Sequence, residues 1–287
     1  MGAHRSSRHV AQRDLDRRDL DYESRRGPRT PPTLCGVRIR WLTAFLDFPT
    51  EQFGDEVTFW RAIAGSTVSP PRGANREFAS LEPFNGDPHL RVQRVEEGSG
   101  GIHLDFHVDD PRAAAGAATA LGAEVDREVS GDPGYLVLRS PAGFAFCVVP
   151  WAGESERSRP IRWPGDTISI IDQVCIDVPA NDFDAEVEFW HRLTGWDVQQ
   201  TAHPEMVRLR RDPALAVGIL VQRLDAADDG TTARAHLDIA ATAVVDEVAR
   251  HEGWGARQIA RFDDWTVMAD PVGRQYCITA RNPRTGL

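Results

Sequence analysis

The sequence predicts an α+β fold made of four βαβββ modules, arranged as two tandem halves. One observation behind this is a long internal repeat: Phe53 and Phe59–Trp60 return as Phe183 and Phe189–Trp190, each 130 residues later. The other is the order of patterns inside each copy, where an alternating run precedes a helical run and three further strand-like runs. Because that order occurs twice in each half, we predict four copies of one small unit.

The first module begins with FLDFP (45–49), which alternates apolar and polar residues like a half-buried strand. In FGDEVTFWRAIAG (53–65), apolar residues recur at close to helical spacing and a glycine follows the last one, which predicts an amphipathic helix. Three short strands are predicted after this helix, near residues 66–70, 77–82 and 89–95.

The second module begins with the strand HLDFHV (103–108) and continues with a helix that starts at Pro111. Its other strands are predicted near 124–129, 135–139 and 143–149. The second half repeats this order, with helices at 183–194 and 242–251 and strands at 171–178, 196–201, 205–210, 217–224, 235–240, 256–261, 264–269 and 274–280.

The repeat also sets the predicted domain boundaries. The two domains cover residues 37–150 and 168–281, and the segment between them, 151–167, has the proline, glycine and charge of a linker. Residues 1–36 mix many charges with few large apolar side chains, so we predict a disordered tail there.

Composition excludes several classes of protein. The formal net charge is −10 and the tail is the most basic part, which argues against a nucleic-acid partner. All 33 basic residues are arginine, and the absence of lysine excludes Schiff-base enzymes and P-loop nucleotide-binding proteins. No apolar run is long enough to span a membrane, so we expect no membrane partner. Three of the four cysteines lie in apolar, strand-like runs and none forms a C-x-x-C pair, which favours a reducing cytoplasm.

The repeated module resembles the vicinal oxygen chelate superfamily, which includes glyoxalases, bleomycin-resistance proteins and extradiol dioxygenases. The resemblance is carried by DVPANDFDAEVEFWHRLTGW (177–196), its copy at 47–65, HLDFHVDD (103–110) and RSPAGFAFCVV (139–149). It implies that two modules pair into one curved sheet around a cavity. It also implies an activity among lyases, dioxygenases, isomerases, epimerases and metal-free proteins that sequester drugs, because one fold hosts all of these.

Strand alternation selects the candidate ligand-binding residues. In HLDFHV the leucine, phenylalanine and valine form the apolar face, which leaves the two histidines and the aspartate to face the cavity. The full predicted set is Thr43, Arg91, Gln93, His103, Asp105 and His107 in the first half, and Gln173, Gln222, His236, Asp238 and Gln275 in the second. A purely structural alternative is that Asp105 and Asp238 pair with a neighbouring arginine such as Arg91 or Arg94.

The resemblance implies metal ligands on the first and fourth strands of each module. The matching positions are Thr43, Arg91, His103 and Ala145 in the first half, and Gln173, Leu220, His236 and Gln275 in the second. Neither set holds two histidines and a carboxylate. We therefore predict no metal ligand and no cofactor, and assign no catalytic residue. The alternative is one divalent metal ion in the second half, bound by His236 with Gln173 and Gln275.

Two functions are compatible with these residues. In the first, the chain binds or sequesters a small metabolite that bears a carbonyl, a carboxylate or an aromatic ring, or transforms it without a metal. In the second, it is a metal-dependent lyase, dioxygenase or isomerase. The expected partner is the small molecule alone, and the chain is either a monomer or a homodimer.

Overall fold

The computed structural model describes residues 33–34, 37–131, 134–228 and 230–287. The predicted tail lies outside these residues except for Thr33 and Leu34. Those two form a short strand whose backbone pairs with Val37 and Arg38. Within the described ranges, no helix has the length and apolar character needed to cross a bilayer.

Each half contains one nine-stranded sheet: the eight strands expected from its two modules and one additional two-residue strand paired with the start of a longer strand. The first sheet consists of β1 (Thr33–Leu34), β2 (Val37–Pro49), β3 (Ser66–Val68), β4 (Phe78–Pro83), β5 (Leu90–Val95), β6 (Gly101–Val108), β7 (Glu124–Val129), β8 (Tyr135–Arg139) and β9 (Ala145–Pro150). The second consists of β10 (Ile161–Arg162), β11 (Ile168–Val178), β12 (Asp197–Gln200), β13 (Met206–Arg210), β14 (Gly218–Arg223), β15 (Arg234–Ala241), β16 (Arg257–Arg261), β17 (Trp265–Ala269) and β18 (Gln275–Thr279).

One helix follows the first strand of each module, which confirms the predicted α+β fold. The helices are α1 (Phe53–Ile63), α2 (Pro111–Ala120), α3 (Phe183–Thr194) and α4 (Val244–Glu252). Asp110 caps α2 by accepting a hydrogen bond from the Ala113 N–H, and Pro111 occupies the first helical position. Gly195 ends α3 in the left-handed conformation, with φ of 68°, where glycine is favoured.

The first strands of the two modules lie side by side at the centre of each sheet. In the first sheet, β2 and β6 are antiparallel, with β5 parallel to β2 and β9 parallel to β6. The second sheet repeats this arrangement with β11, β15, β14 and β18. Residues paired across neighbouring strands place their side chains on the same face. The four central strands therefore combine polar residues from both modules on one wall.

The first helix of each half packs on the sheet of the other half. Trp60 of α1 packs against Tyr276 of β18, with ring centroids 5.3 Å apart. In the reciprocal contact, Trp190 of α3 packs against Phe106 and Phe146, at centroid distances of 5.8 and 5.3 Å. The two halves therefore bury one common hydrophobic core.

Each of these tryptophans has a buried glutamate one helical turn earlier. The indole N–H of Trp60 donates to Glu56, and that of Trp190 donates to Glu186. Glu186 also accepts a hydrogen bond from the Ala142 N–H of the first half. A carboxylate inside the common core thus ties helix and sheet together across the two halves.

Candidate functional site

Each half encloses a cavity against the central strands of its sheet. Cavity 1, in the first half, has a volume of about 410 Å³ and is lined from β2, β5, β6, β8 and β9. Cavity 2, in the second half, has a volume of about 360 Å³ and is lined from β11, β13, β14, β15, β17 and β18. Both volumes lie in the range of small-molecule binding sites.

Most of the predicted ligand-binding residues line these two cavities. In cavity 1 they are Arg91, Gln93, His103, Asp105 and His107. In cavity 2 they are Gln173, Gln222, His236 and Asp238. The strand alternation in HLDFHV thus placed its polar residues on the cavity side.

Thr43 and Gln275 line neither cavity. Thr43 is fully buried, and its hydroxyl lies 2.9 Å from Nε2 of His107, so it contacts a lining residue from behind. Gln275 is exposed at the start of β18, and Cys277, two residues further on, takes the place on the cavity wall. Ala145, the equivalent of Gln275 in the first half, does line cavity 1 together with Cys147.

Cluster 1 consists of Asp47, His103, Asp105 and Cys147. His103 lies between two carboxylates, with Nδ1 2.7 Å from Oδ2 of Asp47 and Nε2 3.6 Å from Oδ1 of Asp105. Cys147 lies opposite Asp105 on the neighbouring parallel strand. The imidazole ring stacks on Phe45, which fixes its plane.

Cluster 2 consists of Asp177, His236, Asp238, Cys175 and Cys277. The His236 Nδ1 lies 2.9 Å from Asp177 Oδ2, and its Nε2 lies 3.4 Å from Asp238 Oδ1 and 3.5 Å from Cys277 Sγ. The Cys175 thiol lies 3.6 Å from Gln222 Oε1. The Gln173 amide donates to Asp238 at 2.6 Å, which orients that carboxylate from the far side.

The flanking carboxylates control the protonation of both histidines. Burial lowers the pKa of His103, but the charge and hydrogen bond of Asp47 and the charge of Asp105 outweigh it, and the pKa is raised. For His236, burial is outweighed by Cys175, Asp177 and Asp238, so that its pKa lies well above the ordinary value. Burial is also the main cause that raises the pKa of the Cys147 and Cys277 thiols. In each cluster the carboxylates thus favour the protonated imidazole, and burial favours the neutral thiol.

The structural alternative, in which the strand aspartates pair with arginines, is wrong. Asp105 and Asp238 are paired with the histidines, as described above. Arg91 forms its ion pair with Glu154, at 3.2 Å, and Arg94 donates to the backbone carbonyl of Asn75. Arg91 lines the same cavity as Asp105 but is paired with Glu154 instead.

The prediction missed two carboxylates of the clusters, those of Asp47 and Asp177, and the thiols, although the repeat contained them. Asp47 and Asp177 are equivalent in the two copies, and so are Cys147 and Cys277, each pair 130 residues apart. The three cysteines that the sequence places in apolar, strand-like runs are buried and free. What the repeat did not show is that they lie beside the histidines. Cys35 lies outside the described residues.

The donor chemistry of the clusters fits a divalent metal ion better than the residues first considered. Donor atoms of Cys175, His236 and Asp238 lie within 4.8 Å of one another, and those of His103, Asp105 and Cys147 do the same. Thiolate, imidazole and carboxylate are ligands that zinc takes. A carboxylate on the other ring nitrogen, as Asp177 provides, is the usual support of a metal-bound histidine. Such an ion would act as a Lewis acid on a ligand oxygen.

Comparison with known proteins identifies the same module twice. The family model described as "Glyoxalase-like domain" matches residues 43–149 and 173–279. No curated protein matches the chain.

Several solved structures share the fold at low sequence identity. A Mn(II)-bound glyoxalase from Novosphingobium aromaticivorans is 16% identical, with a TM-score of 0.58 over 90% of this chain and 86% of that one. A mutant 4-hydroxymandelate synthase from Streptomyces coelicolor is 13% identical, with a TM-score of 0.59 over 90% and 95%. An extradiol ring-cleaving dioxygenase from B. fuscum is 14% identical, with a TM-score of 0.59 over 91% and 75%.

The two family matches cover most of the chain, and the sheet order of each half is that of two paired βαβββ modules. The structural neighbours agree with this architecture and show the fold alone. The chain belongs to the glyoxalase-like domain family, within the vicinal oxygen chelate superfamily that its sequence resembles.

Proposed function

We propose that the chain binds a small metabolite in its cavities, and that this metabolite bears a carbonyl, a carboxylate or an aromatic ring. The observation that carries the proposal is a set of buried polar atoms on cavity-lining residues that have no hydrogen-bond partner among the described residues. They are Oδ1 of Asp47, Nε of Arg91, Oδ1 of Asp105 and Nδ1 of His107 in cavity 1, and Nε of Arg208 in cavity 2. Buried polar groups are nearly always hydrogen-bonded, so these atoms indicate a polar molecule in the cavity.

Apolar and aromatic walls surround these polar atoms. Cavity 1 contains Phe45, Phe78 and Tyr135, and cavity 2 contains Met206 and Trp265. A mostly apolar frame with a few polar groups is typical of sites for small organic molecules. Flat aromatic walls favour a planar ligand.

The histidines could add acid–base chemistry to binding. Nε2 of His236 is 3.4 Å from Asp238 and 3.5 Å from Cys277, longer than a strong hydrogen bond, so its proton is available to a ligand oxygen. This supports the version of the proposal in which the ligand is transformed without a metal. Recovery of the ligand unchanged after incubation would support sequestration instead.

The proposal is tested by thermal shift with a panel of planar, carbonyl-bearing and carboxylate-bearing metabolites, followed by calorimetric titration of the hits. We expect a concentration-dependent rise in Tm that is reduced in His236→Ala or His103→Ala. His191→Ala is the matched control, because that side chain bonds to the Trp196 carbonyl and lines neither cavity. A panel without any hit, or hits that both cavity variants leave unchanged, would overturn the proposal.

The donor clusters favour a second candidate, a metal-dependent lyase, dioxygenase or isomerase. Cys175, His236 and Asp238 would hold the ion in the second half. The test is metal content by mass spectrometry on protein purified without a histidine tag or chelator. About one ion per chain, lost in His236→Ala and retained in His191→Ala, supports this candidate. Protein that takes up no stoichiometric metal on reconstitution contradicts it.

A further inference from the structure

The two cavities differ in how their arginines are satisfied. In cavity 1 the Arg91 guanidinium lies 3.2 Å from Oε1 of Glu154, a residue of the segment that follows β9. The same oxygen is 3.5 Å from Nδ1 of His107, and the other carboxylate oxygen accepts from the Ala152 N–H. A carboxylate of the chain itself is therefore bound inside cavity 1.

Arg208 of cavity 2 lies in the equivalent cross-strand row of the second sheet, but on β13 and not on β14, the strand that corresponds to β5 of Arg91. In the first sheet, Ser80, Arg91, Phe45 and His103 are paired in that order across β4, β5, β2 and β6. In the second sheet the same row is Arg208, Leu220, Cys175 and His236, across β13, β14, β11 and β15. Each row thus ends in an imidazole and carries one guanidinium, which lies two strands from the imidazole in the first sheet and three strands from it in the second.

Arg208 has no carboxylate within ion-pair distance among the described residues; the cavity-lining carboxylates of Asp238 and Asp264 lie beside His236 and His203. Arg208 forms no hydrogen bond or ion pair with the described part of the chain, and its Nε is buried. Burial and the positive charge of Arg281 lower the pKa of Arg208, and they outweigh the charges of Asp172 and Asp238, which raise it. Arg281 itself is paired with Asp172, at 3.0 Å. The segment that follows β18, residues 280–287, contains no acidic side chain that could do what Glu154 does.

We propose that cavity 2 binds one small carboxylate through Arg208, and that the Glu154 carboxylate occupies the corresponding place in cavity 1. This rests on the proposed function, that the cavities bind small molecules, and it names the ligand class and the half that binds it. The difference between the halves is one of charge, because the cavity volumes are similar, about 360 and 410 Å³.

The row of side chains also limits the shape of the ligand. Arg208 and His236 are three strands apart, which separates their Cα atoms by about 14 Å. Both side chains line cavity 2, as do Leu220 and Cys175 between them, so an acid bound in this cavity lies between the two ends of the row. Trp265 lines the same cavity and offers a ring face. The ligand is therefore a small aromatic or carbonyl-bearing acid whose carboxylate binds Arg208 and whose other end lies near His236.

The test is isothermal titration with benzoate and phenylacetate, each beside its neutral amide, benzamide or phenylacetamide. We expect the wild-type chain to bind one carboxylate and to prefer it to the matching amide by roughly tenfold to a hundredfold, since a hydrogen-bonded charge pair is lost with the amide. Arg208→Gln should abolish that preference. Arg210→Gln is the matched control, because Arg210 lies on the same strand and pairs with the exposed Asp197 outside the cavity.

Glu154→Gln provides an independent measure, the stoichiometry. Without its carboxylate, Arg91 becomes available and the chain should bind two carboxylates. The double variant Arg208→Gln with Glu154→Gln should return to one, and adding Arg91→Gln should remove it.

Failure of this inference can be distinguished from failure of the proposed function. Amides that bind as well as acids, or an Arg208→Gln variant that keeps the preference, would overturn the inference and leave the proposed function standing. A wild-type chain that binds neither acids nor amides, and no member of the metabolite panel, would overturn both.

Discussion

The imidazole of His103 lies flat on the ring of Phe45, with centroids 4.7 Å apart and planes inclined by 6°. The equivalent row of the second sheet has Cys175 opposite His236. The two histidines therefore have equivalent carboxylate partners but different neighbours in the sheet. One is held by a ring, and the other has a small thiol beside it.

The stacked ring should contribute more to stability than the thiol. We expect Phe45→Ala to lower the free energy of unfolding by about 3 kcal/mol, because it removes a buried ring and leaves a larger cavity. Cys175→Ala should cost no more than about 1 kcal/mol, since little apolar area is lost. Urea denaturation of the two variants measures the difference, and equal costs would contradict this account of the row.

Glu56 should make stability fall as pH rises. Burial, together with the hydrogen bond and charge of Asp270, raises its pKa from 4.5 to about 8, although Trp60 and Arg274 act in the opposite direction. Between these values the folded chain holds a proton that the unfolded chain has released. The contribution is therefore complete below about pH 4.5 and is lost as the pH rises through about 8, with a slope of about 1.4 kcal/mol per pH unit.

Urea denaturation across this pH range, comparing wild type with Glu56→Gln, isolates the effect. The variant should lack this part of the pH dependence. Glu82→Gln, an exposed residue of β4, serves as the control and should follow wild type. Wild-type and Glu56→Gln curves that run parallel would show that Glu56 does not retain the proton.

Because α1 and α3 each pack on the sheet of the other half, the two halves should unfold together. Trp190→Ala removes a fully buried ring from a cluster that spans both halves, so we expect a loss of about 3–5 kcal/mol. Differential scanning calorimetry should still show one transition, at a lower Tm. Trp254→Ala should change little, because Trp254 is 49% exposed. A separate transition for one half in the wild-type chain would contradict the common core.

Gly100 should be required for the position of Asp47. Its φ is +71°, and a Cβ at that site would collide with the backbone carbonyl oxygen of Asp47. Gly98 has a similar φ of +83° but has open space around it. We expect Gly98→Ala to cost about 1 kcal/mol, from backbone strain alone, and Gly100→Ala to cost about 2 kcal/mol more.

Displacement of Asp47 would also reach His103, which is bonded to it at 2.7 Å. The imidazole Nδ1–H resonance of His103 should therefore shift in Gly100→Ala and stay in place in Gly98→Ala. The same resonance position in both variants would mean that the loop yields without moving the strand.

Local patterns were sufficient for the elements but not for the pairing between them. The alternation in HLDFHV correctly placed His103, Asp105 and His107 on the cavity side. The partners of those residues depend on register, and both β2 and β11 contain an irregularity where the pairing shifts, between Ile39 and Trp41 and between Ile171 and Gln173. No periodicity in a single sequence shows where such a shift lies.

Glu154 and Arg208 were missed for a different reason. Glu154 lies in a segment that its proline, glycine and charge indicated to be a linker, and nothing local distinguishes it from the glutamates around it. Arg208 lies in the run RLRR, which is typical of an exposed strand. Their importance comes from tertiary contacts, one made and one missing, which composition does not encode.

The covalent joining of the two halves has a consequence for how they can change. In a symmetric dimer of identical chains, every substitution appears at both sites. Here the two copies of the module pair have equivalent surroundings but accumulate substitutions independently. One half can therefore pair its arginine with its own carboxylate, while the arginine of the other half forms no ion pair. In such a chain one site can become specialised while the equivalent site of the other half serves a structural role. An assembly of identical subunits cannot separate the two roles in this way.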